Sequence, residues 1–467
     1  KRLRTIPDAR AQAFSGGGGY HYLYMTHEEF FKGKHITLLG LGLLGRGVGD
    51  AEFLAQCGAD VVVTDTKTEE QLTESFERLK KYPNITFHLG GHQKEDFEKW
   101  DLVIKSAGVR LDSPEIAAAR AAGVAVAMST ALFAKYASAT GVKIVGVTGT
   151  RGKTTVSHMI FHALQKAGKR VHLGGNVRGI STLAMLPDMK EGDTAVLELD
   201  SWQLQGFGDL KISPNISVFM NLMPDHQNYY PDMDTYFSDK ANIFRFQKAN
   251  DVLIVGGGIA DRVRAAQPPL DPIVPEEIPS QWKLKIAGEH NRENASLANA
   301  ALQALGLSDD EIKTGIESFE GVEGRLQFVR ELNGVKFYND NNATTPEATI
   351  AALRALDSVA TLIAGGSEKG LALDELISEI KERVSNVILL THPDYKGSMR
   401  FAGSLQKAGI AYEEARDLSA AVTSALEKTK TGIVLFSPAF ASFGMFKNEY
   451  ERNDQFLELI RKTEDAA

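Results

Sequence analysis

A single cysteine, Cys57, stands among 467 residues. No disulfide can form within the chain, and a reducing, cytoplasmic compartment is expected. Long apolar runs are missing too. None reaches the roughly 18 residues that a membrane-spanning helix needs, so no membrane partner is expected. Basic charge is in deficit, with 52 Lys and Arg against 60 Asp and Glu and a net charge of −8. A nucleic-acid backbone asks for a basic face, and no nucleic-acid partner is expected. The chain has no short internal repeat and no low-complexity tract beyond the glycines at 16–19. Its first residues also lack the apolar stretch of a secretory signal. Residues 1–25 read as a leader or upstream extension, with a docked arm as the alternative.

What is present is an ordinary globular composition, 43% hydrophobic and 24% charged. The length predicts two to four domains of about 100–200 residues each. Strand and helix patterns alternate throughout, which predicts an α/β protein in three domains. The first, 26–140, is expected to be Rossmann-like, with strands at 35–39, 61–64, 101–105 and 124–127. The second, 141–322, is expected to be a P-loop-type ATP-binding domain with a mostly parallel sheet. Its strands are a buried run around 144–147 and segments 194–199, 216–221 and 252–255. A Pro- and Glu-rich loop at 267–280 and a helix at 291–305 follow. The third, 323–467, is again expected to be Rossmann-like. It opens on a hairpin, 327–330 and 335–338, around Asn333-Gly334, with later strands at 361–364, 386–390 and 432–436.

The most informative stretch is 147–155, Val-Thr-Gly-Thr-Arg-Gly-Lys-Thr-Thr. It joins a buried strand to a helical pattern, where glycines let backbone N–H groups wrap a phosphate and the helix N-terminus favours negative charge. Lys153 can reach terminal phosphates, and the Thr154 hydroxyl can hold Mg²⁺. The strict P-loop would put its first glycine at Val147. This chain has Gly146 and Gly149 instead, and a chance Gly-Lys-Thr is the competing reading.

Gly40, Gly42 and Gly45 follow the first strand, with Asp65 about twenty positions on, as dinucleotide-binding units require. A tight turn, a dinucleotide site and a nucleotide-sugar site all fit. Glu198 ends a strand, where a Mg²⁺ ligand belongs beside a phosphate loop. His226, next to Asp225, is either a structural histidine or a metal ligand. Lys240, at helical spacing, reads as a solvated helix lysine. In the third domain, loops at 339–346, 365–370 and 437–443 each follow a strand. They are a binding face, or at 339–346 merely a helix cap.

Together these segments resemble the Mur ligase family, and its D-glutamate-adding branch in particular, from about Thr26 to the C-terminus. Thr148-Gly149-Thr150-Arg151-Gly152-Lys153-Thr154 resembles the family's Thr-Gly-Thr-Asn-Gly-Lys loop. Gly174-Gly175-Asn176 resembles its Gly-Gly-Asn. Leu197 to Leu204 is similar to Leu-Glu-Leu-Ser-Ser-Phe-Gln-Leu. Asp225-His226, Lys240, Gly288-Glu289-His290-Asn291 with Asn294, Ser437 to Ser442, and Phe446-Lys447-Asn448 match further motifs.

The resemblance implies an ATP-dependent amide ligase with cofactor Mg²⁺. It would act on UDP-N-acetylmuramoyl-L-alanine and D-glutamate through an acyl phosphate, as a cytoplasmic monomer. It further implies that Gly149, Thr150, Arg151, Gly152, Lys153, Thr154, Thr155, Asn291, Asn294, Arg325 and Asp340 hold ATP. Thr154, Glu198, His226 and a carbamylated Lys240 would hold metal, with Lys153 completing the catalytic set. Gly42, Leu43, Leu44, Asp65, Thr66, Ser106, Gly108 and Asn176 would hold the UDP-sugar. Thr344, Lys369, Ser442 and Phe443 would hold the amino acid.

Four departures stand out. Arg151 replaces Asn, Asp200 replaces Ser, Asn228 replaces the Asp of Asp-His-x-Asp, and Asn342 replaces the Lys of Asp-Ser-Lys-Ala-Thr. They bear on which amino acid is added. The alternatives are a related ligase using L-glutamate or another amino acid, a folylpolyglutamate-type ligase, and a nucleotide-binding scaffold with a degenerate site.

Overall fold

The computed structural model describes residues 26–42, 45–226, 229–286, 288–356, 358–368 and 370–463. The expected leader (1–25), Leu43, Leu44 and Lys369 lie outside the described residues.

Apolar, β-branched-rich runs buried on both faces form most of the central strands of three sheets, as parallel sheets covered by helices demand. The first contains β1 (His35–Leu39), β2 (Asp60–Asp65), β3 (Ile85–Leu89), β4 (Leu102–Lys105) and β5 (Ala125–Ala127). Their order is β3-β2-β1-β4-β5, and all pairs are parallel. The order in which strands are added reverses between β1 and β4, so the loops following these strands flank the crevice where ligands bind in such sheets.

The second sheet contains β6 (Lys143–Thr148), β7 (Val171–Gly175), β8 (Thr194–Glu198), β9 (Ile216–Phe219) and β10 (Val252–Val255). It is parallel with order β10-β9-β6-β8-β7. The phosphate-loop strand β6 is central, between β8 and β9. Their carboxyl ends therefore deliver Glu198 on one side of the loop and Asn221 on the other.

These two sheets belong to one compact unit, which runs to Glu276 and includes Ser296–Gly315. Its core is continuous. The helix Ser129–Ala139 buries Leu132 and Phe133 completely, in a cluster that holds Ile36 of the first sheet and Leu197 of the second.

The second unit, Glu277–Ala295 with Ile316 onward, carries the third sheet. Its strands are β11 (Gln327–Leu332), β12 (Val335–Asn339), β13 (Val359–Ala364), β14 (Val384–Leu390), β15 (Tyr412–Ala415) and β16 (Gly432–Phe436). The order is β11-β12-β16-β13-β14-β15, parallel except for the β11–β12 hairpin. The α/β expectation and the hairpin around Asn333-Gly334 are borne out. Three strands escaped the pattern: β3, β7 and β15. They are edge strands carrying Thr86 and His88, two glycines, and Glu413-Glu414. Edge strands need no continuous apolar run and are commonly polar.

Candidate active site

The phosphate loop departs from β6 at Gly149 and ends at Gly152, whose φ of +84° favours glycine as it feeds the helix Lys153–Lys166. Asn221, two residues past β9, pins the loop. Its Oδ1 accepts from the N–H groups of Thr150 (3.0 Å) and Arg151 (2.9 Å), and its Nδ2 donates to the Arg151 carbonyl (3.1 Å). The Thr150 hydroxyl donates to the Met223 carbonyl and accepts from the Met223 N–H. Lys153 folds back, its Nζ donating to the carbonyls of Gly149 and Thr150, both at 3.1 Å. Thr154 and Thr155 occupy the first turn of the helix, half-buried. Nothing in the structure explains the exposed arginine at 151.

Glu198 ends β8 almost wholly buried, and its Oε2 has no hydrogen-bond partner. An orphaned buried carboxylate oxygen is costly unless something else uses it. Gly175 lies beside it. A Cβ there would stand 2.1 Å from the Glu198 carbonyl, and the Gly175 φ is +85°, so no side chain fits. Asp200, where the family motif has serine, is the N-cap of the helix Ser201–Leu210. Its Oδ1 accepts from the Gln203 N–H (2.7 Å), while Gln203 Oε1 accepts from the Asp200 N–H (3.2 Å). This reciprocal cap gives the departure a structural role.

His226 has a φ of +52°, unusual for a non-glycine residue. Its N–H donates to Asp225 Oδ1, and its ring packs against Trp202 and Tyr236, with centroids at 4.8 and 6.1 Å. Burial holds its pKa below the ordinary imidazole value, with Lys240 and Lys153 pushing the same way against Asp225 and Asp200. Lys240 is 1% exposed. Its Nζ donates to the Gly149 carbonyl (3.0 Å) and the Thr148 hydroxyl (3.3 Å) and lies over the Tyr236 ring. Burial first, and Lys153 second, hold its pKa well below the ordinary lysine value. The reading of Lys240 as a solvated helix lysine is therefore corrected, because the helix Met233–Lys240 turns its last residue under the phosphate loop. Among the described residues no three His, Cys, Asp or Glu side chains gather into a ready metal cluster.

In the first sheet, Asp65 accepts at Oδ2 from the N–H groups of Leu41 (2.9 Å) and Gly42 (3.3 Å), and at Oδ1 from that of Lys67 (3.0 Å). Burial would raise its pKa, but these donors and the Lys67 ammonium hold it below the usual carboxylate value. Thr66 and Gly108 are exposed and Ser106 is half-buried. Asn176, just past β7, connects the helix Arg46–Gln56 to β8. Its Oδ1 accepts from Arg46 Nη1 (2.9 Å), and its N–H donates to the Glu198 carbonyl (2.7 Å). Lys105, missed by sequence reasoning, is 2% exposed at the end of β4, and its Nζ donates to the Val109 carbonyl (3.0 Å). Burial depresses its pKa to about 8. A lysine at a strand end reads as solvated, and no sequence signal marks this one.

The second unit gathers its loops at the carboxyl ends of β12, β13 and β16. Asp340 is buried, accepting from Ser437 Oγ (2.7 Å) and the Leu326 N–H (3.0 Å), and burial raises its pKa to about 7. It does not cap the following helix, Pro346–Ala355, whose N-cap is Thr345, so the helix-cap alternative does not hold for Asp340. Arg325 is exposed but close enough to Asp340 to oppose that rise.

Fully buried Arg452, also missed, ties two of these loops together. It donates to Asn341 Oδ1 (2.8 Å), the Asn341 carbonyl (2.9 Å) and the Phe440 carbonyl (3.3 Å). The β13 loop joins them, with the Ser367 N–H donating to the Ala441 carbonyl (2.8 Å). Ser442 Oγ is buried without a partner, Thr344 is half-buried, and Phe443 is 60% exposed. Asn342 Nδ2 donates to the Glu323 carbonyl (3.3 Å). Asn291 and Asn294 are buried near the start of the helix His290–Ala304, Asn294 Nδ2 donating to Asn291 Oδ1 (2.9 Å).

Comparison with known proteins follows this order of parts. A Mur ligase MurD-like N-terminal domain matches residues 34–128, a Mur ligase middle domain 147–267, and a Mur ligase glutamate ligase domain 324–440. UDP-N-acetylmuramoylalanine–D-glutamate ligases of Roseiflexus sp. (strain RS-1) and Acetivibrio thermocellus are 34% and 32% identical, over 92% and 93% of this chain and 98% and 97% of theirs. Among solved structures, UDP-N-acetylmuramate-alanine ligase from Thermotoga maritima has a TM-score of 0.60 at 20% identity, covering 92% of this chain and 100% of that one. Folylpolyglutamate synthase from Mycobacterium tuberculosis, complexed with ADP and AMPPCP, has a TM-score of 0.52 at 16% identity, covering 72% and 96%. The structural likenesses are of fold. Among the described residues no helix is long and apolar enough to cross a membrane.

Proposed function

Because the chain belongs to the Mur ligase family and is an ATP-dependent ligase, we propose that it joins D-glutamate to UDP-N-acetylmuramoyl-L-alanine. The reaction belongs to peptidoglycan-precursor synthesis and takes place in the cytoplasm, with the enzyme a monomer. Three domains divide the work: 26–140 holds the UDP-sugar, 141–322 ATP, and 323–467 the amino acid. The observation that carries the chemistry is the 149–155 loop set between β8 and β9, with Lys153 upon it and buried Glu198 beside it. The choice of substrates is supported by the names of the relatives at 34% and 32% identity.

A carboxylate is a poor electrophile at neutral pH. Its oxygen attacks the γ-phosphorus of ATP, ADP leaves, and the resulting acyl phosphate has a good leaving group. The amine of glutamate, having lost its proton, then attacks the carbonyl carbon, and inorganic phosphate departs from the tetrahedral intermediate. Lys153, the loop N–H groups of Gly149, Thr150, Arg151 and Gly152, and Thr155 neutralise and orient the transferring phosphoryl group.

Thr154, orphaned Glu198, His226 and Lys240 as its carbamate would form the donor set for Mg²⁺. When bound, the ion would supply charge neutralisation at the phosphates. The depressed pKa of His226 keeps its imidazole neutral and able to ligate. That of Lys240 keeps a free amine available to CO₂. Asn291, Asn294, Arg325 and Asp340 complete ATP recognition. The raised pKa of Asp340 lessens its repulsion of phosphate. Gly42, Leu43, Leu44, Asp65, Thr66, Ser106, Gly108 and Asn176 hold the UDP-sugar, and Thr344, Lys369, Ser442 and Phe443 hold glutamate.

The test is phosphate release from ATP with UDP-N-acetylmuramoyl-L-alanine and a panel of amino acids. Release should require D-glutamate. Release with L-glutamate and none with D-glutamate would refute the substrate assignment. Lys153→Ala should lower turnover by about 10³-fold or more, as losing a phosphoryl-stabilising group does.

A further inference from the structure

Trp202 stands in the motif Leu-Glu-Leu-Asp-Ser-Trp-Gln-Leu, where the resembling segment has phenylalanine. The substitution adds one functional group, the indole Nε1–H. That atom is buried from solvent and has no hydrogen-bond partner. Native structures retain few such groups, and leaving one unmade costs about 1–3 kcal/mol. The mechanism described above makes no use of it.

The indole has a defined setting. Its ring lies 4.8 Å from that of His226 and 5.4 Å from that of Tyr229, both tilted by 51°. The Arg110 guanidinium lies over the Tyr229 ring at 4.5 Å. Arg110 follows β4 in the segment that carries Ser106 and Gly108, while His226 follows β9 on the phosphate-loop side. Trp202 therefore sits in the row of aromatic side chains that runs from the UDP-sugar loop towards the phosphate loop. The aromatic contacts fix the ring and leave its donor unspent.

An indole N–H donates and never accepts, so its partner must present an oxygen. A substrate whose uridine diphosphate meets the Gly40–Gly45 loop and whose carboxylate meets the phosphate loop would run along this row. We propose that the Trp202 Nε1–H donates a hydrogen bond to an oxygen of the acyl chain of the UDP-sugar substrate, making Trp202 a binding residue of this chain. The proposal rests on the substrate reading given under Proposed function.

The test is Trp202→Phe in the full-length protein, which keeps an aromatic ring and removes the donor. Calorimetric titration with UDP-N-acetylmuramoyl-L-alanine should give a Kd about five- to tenfold higher than wild type, the size of one lost hydrogen bond. The Kd for ATP should not move. The thermal midpoint should equal or exceed that of wild type, because an unpaired buried donor has been removed. A packing role for Trp202 would instead lower the midpoint and spare the Kd. An unchanged Kd for the UDP-sugar in Trp202→Phe, with wild type binding it, overturns this proposal alone. Wild type that fails to bind the UDP-sugar overturns the functional reading and this proposal together.

Discussion

Replacing Arg452 with methionine should loosen two loops that the structure assigns to one carbonyl-lined socket. The guanidinium is fully buried and makes two short bonds to Asn341, at 2.8 and 2.9 Å, and a longer one to the Phe440 carbonyl at 3.3 Å. Burial lowers its pKa to about 10, so it remains charged at neutral pH. Each bond from a charged donor contributes about 1.5–3 kcal/mol. Returning the guanidinium to water on unfolding offsets part of that, because its partners are neutral carbonyls. Methionine fills much of the volume, so the cavity is small. The net loss is about 2–3 kcal/mol, which corresponds to roughly 30–150-fold faster local opening.

Amide hydrogen exchange reads this directly. The N–H groups of Asn342 and Ala343, bonded to the carbonyls of Gly324 and Asp340, and that of Ser437, bonded to the Ile363 carbonyl, should exchange faster by that factor. Peptides covering β1 and β2 should not change. Exchange within threefold of wild type at all three positions would refute the reasoning, since it would mean that the loops hold together without the guanidinium.

Two further predictions follow from buried ionisable groups. Asp340 has its pKa raised to about 7 by burial. Its stabilising contribution is therefore full below the unfolded carboxyl value and is lost as pH rises through 7, by at most about 4 kcal/mol. Asp340→Asn should flatten the fall of the thermal midpoint between pH 4 and 7, and a variant with the wild-type pH profile would count against it. Activity should fall in bicarbonate-depleted buffer and return with bicarbonate, and Lys240→Ala should be inactive but partly restored by formate or acetate. Indifference to bicarbonate together with failed rescue would remove carbamylation from the account.

Much of the site is legible in the residues because backbone requirements leave their mark. The Gly149–Gly152 loop and the Gly40–Gly45 loop need glycines between a strand and a helix, and they fall at those places. Glu198 is visible because it ends an apolar run. Asp200 stands out as a departure from the motif, but its meaning as a reciprocal helix cap with Gln203 requires the helix start to be known. Lys105 and Arg452 are illegible, and Lys240 is marked only by the family resemblance. Lys105 ends an apolar strand, where a terminal lysine reads as reaching solvent, and Arg452 sits in a helix that opens Glu-Tyr-Glu-Arg-Asn-Asp. Charge density predicts an exposed face, and only packing reveals which residue turns inward.

The amino-acid sequence by itself determines the α/β class, the two glycine loops and the order of the parts, because these follow from local periodicity and backbone freedom. It also determines which groups are available: one phosphate-loop lysine, one strand-end glutamate, one indole in place of a phenyl ring. Tertiary structure decides which of them are desolvated and what they touch. The parallel order β9-β6-β8 sets Asn221 and Glu198 on opposite sides of the phosphate loop. Residues 51 and 73 positions apart in the chain meet there, at the Thr148 hydroxyl on the Leu199 carbonyl and the Thr150 hydroxyl on the Met223 carbonyl. Burial, and with it the lowered pKa of Lys240 and the raised pKa of Asp340, is a property of neighbours distant in the chain, which no local pattern encodes.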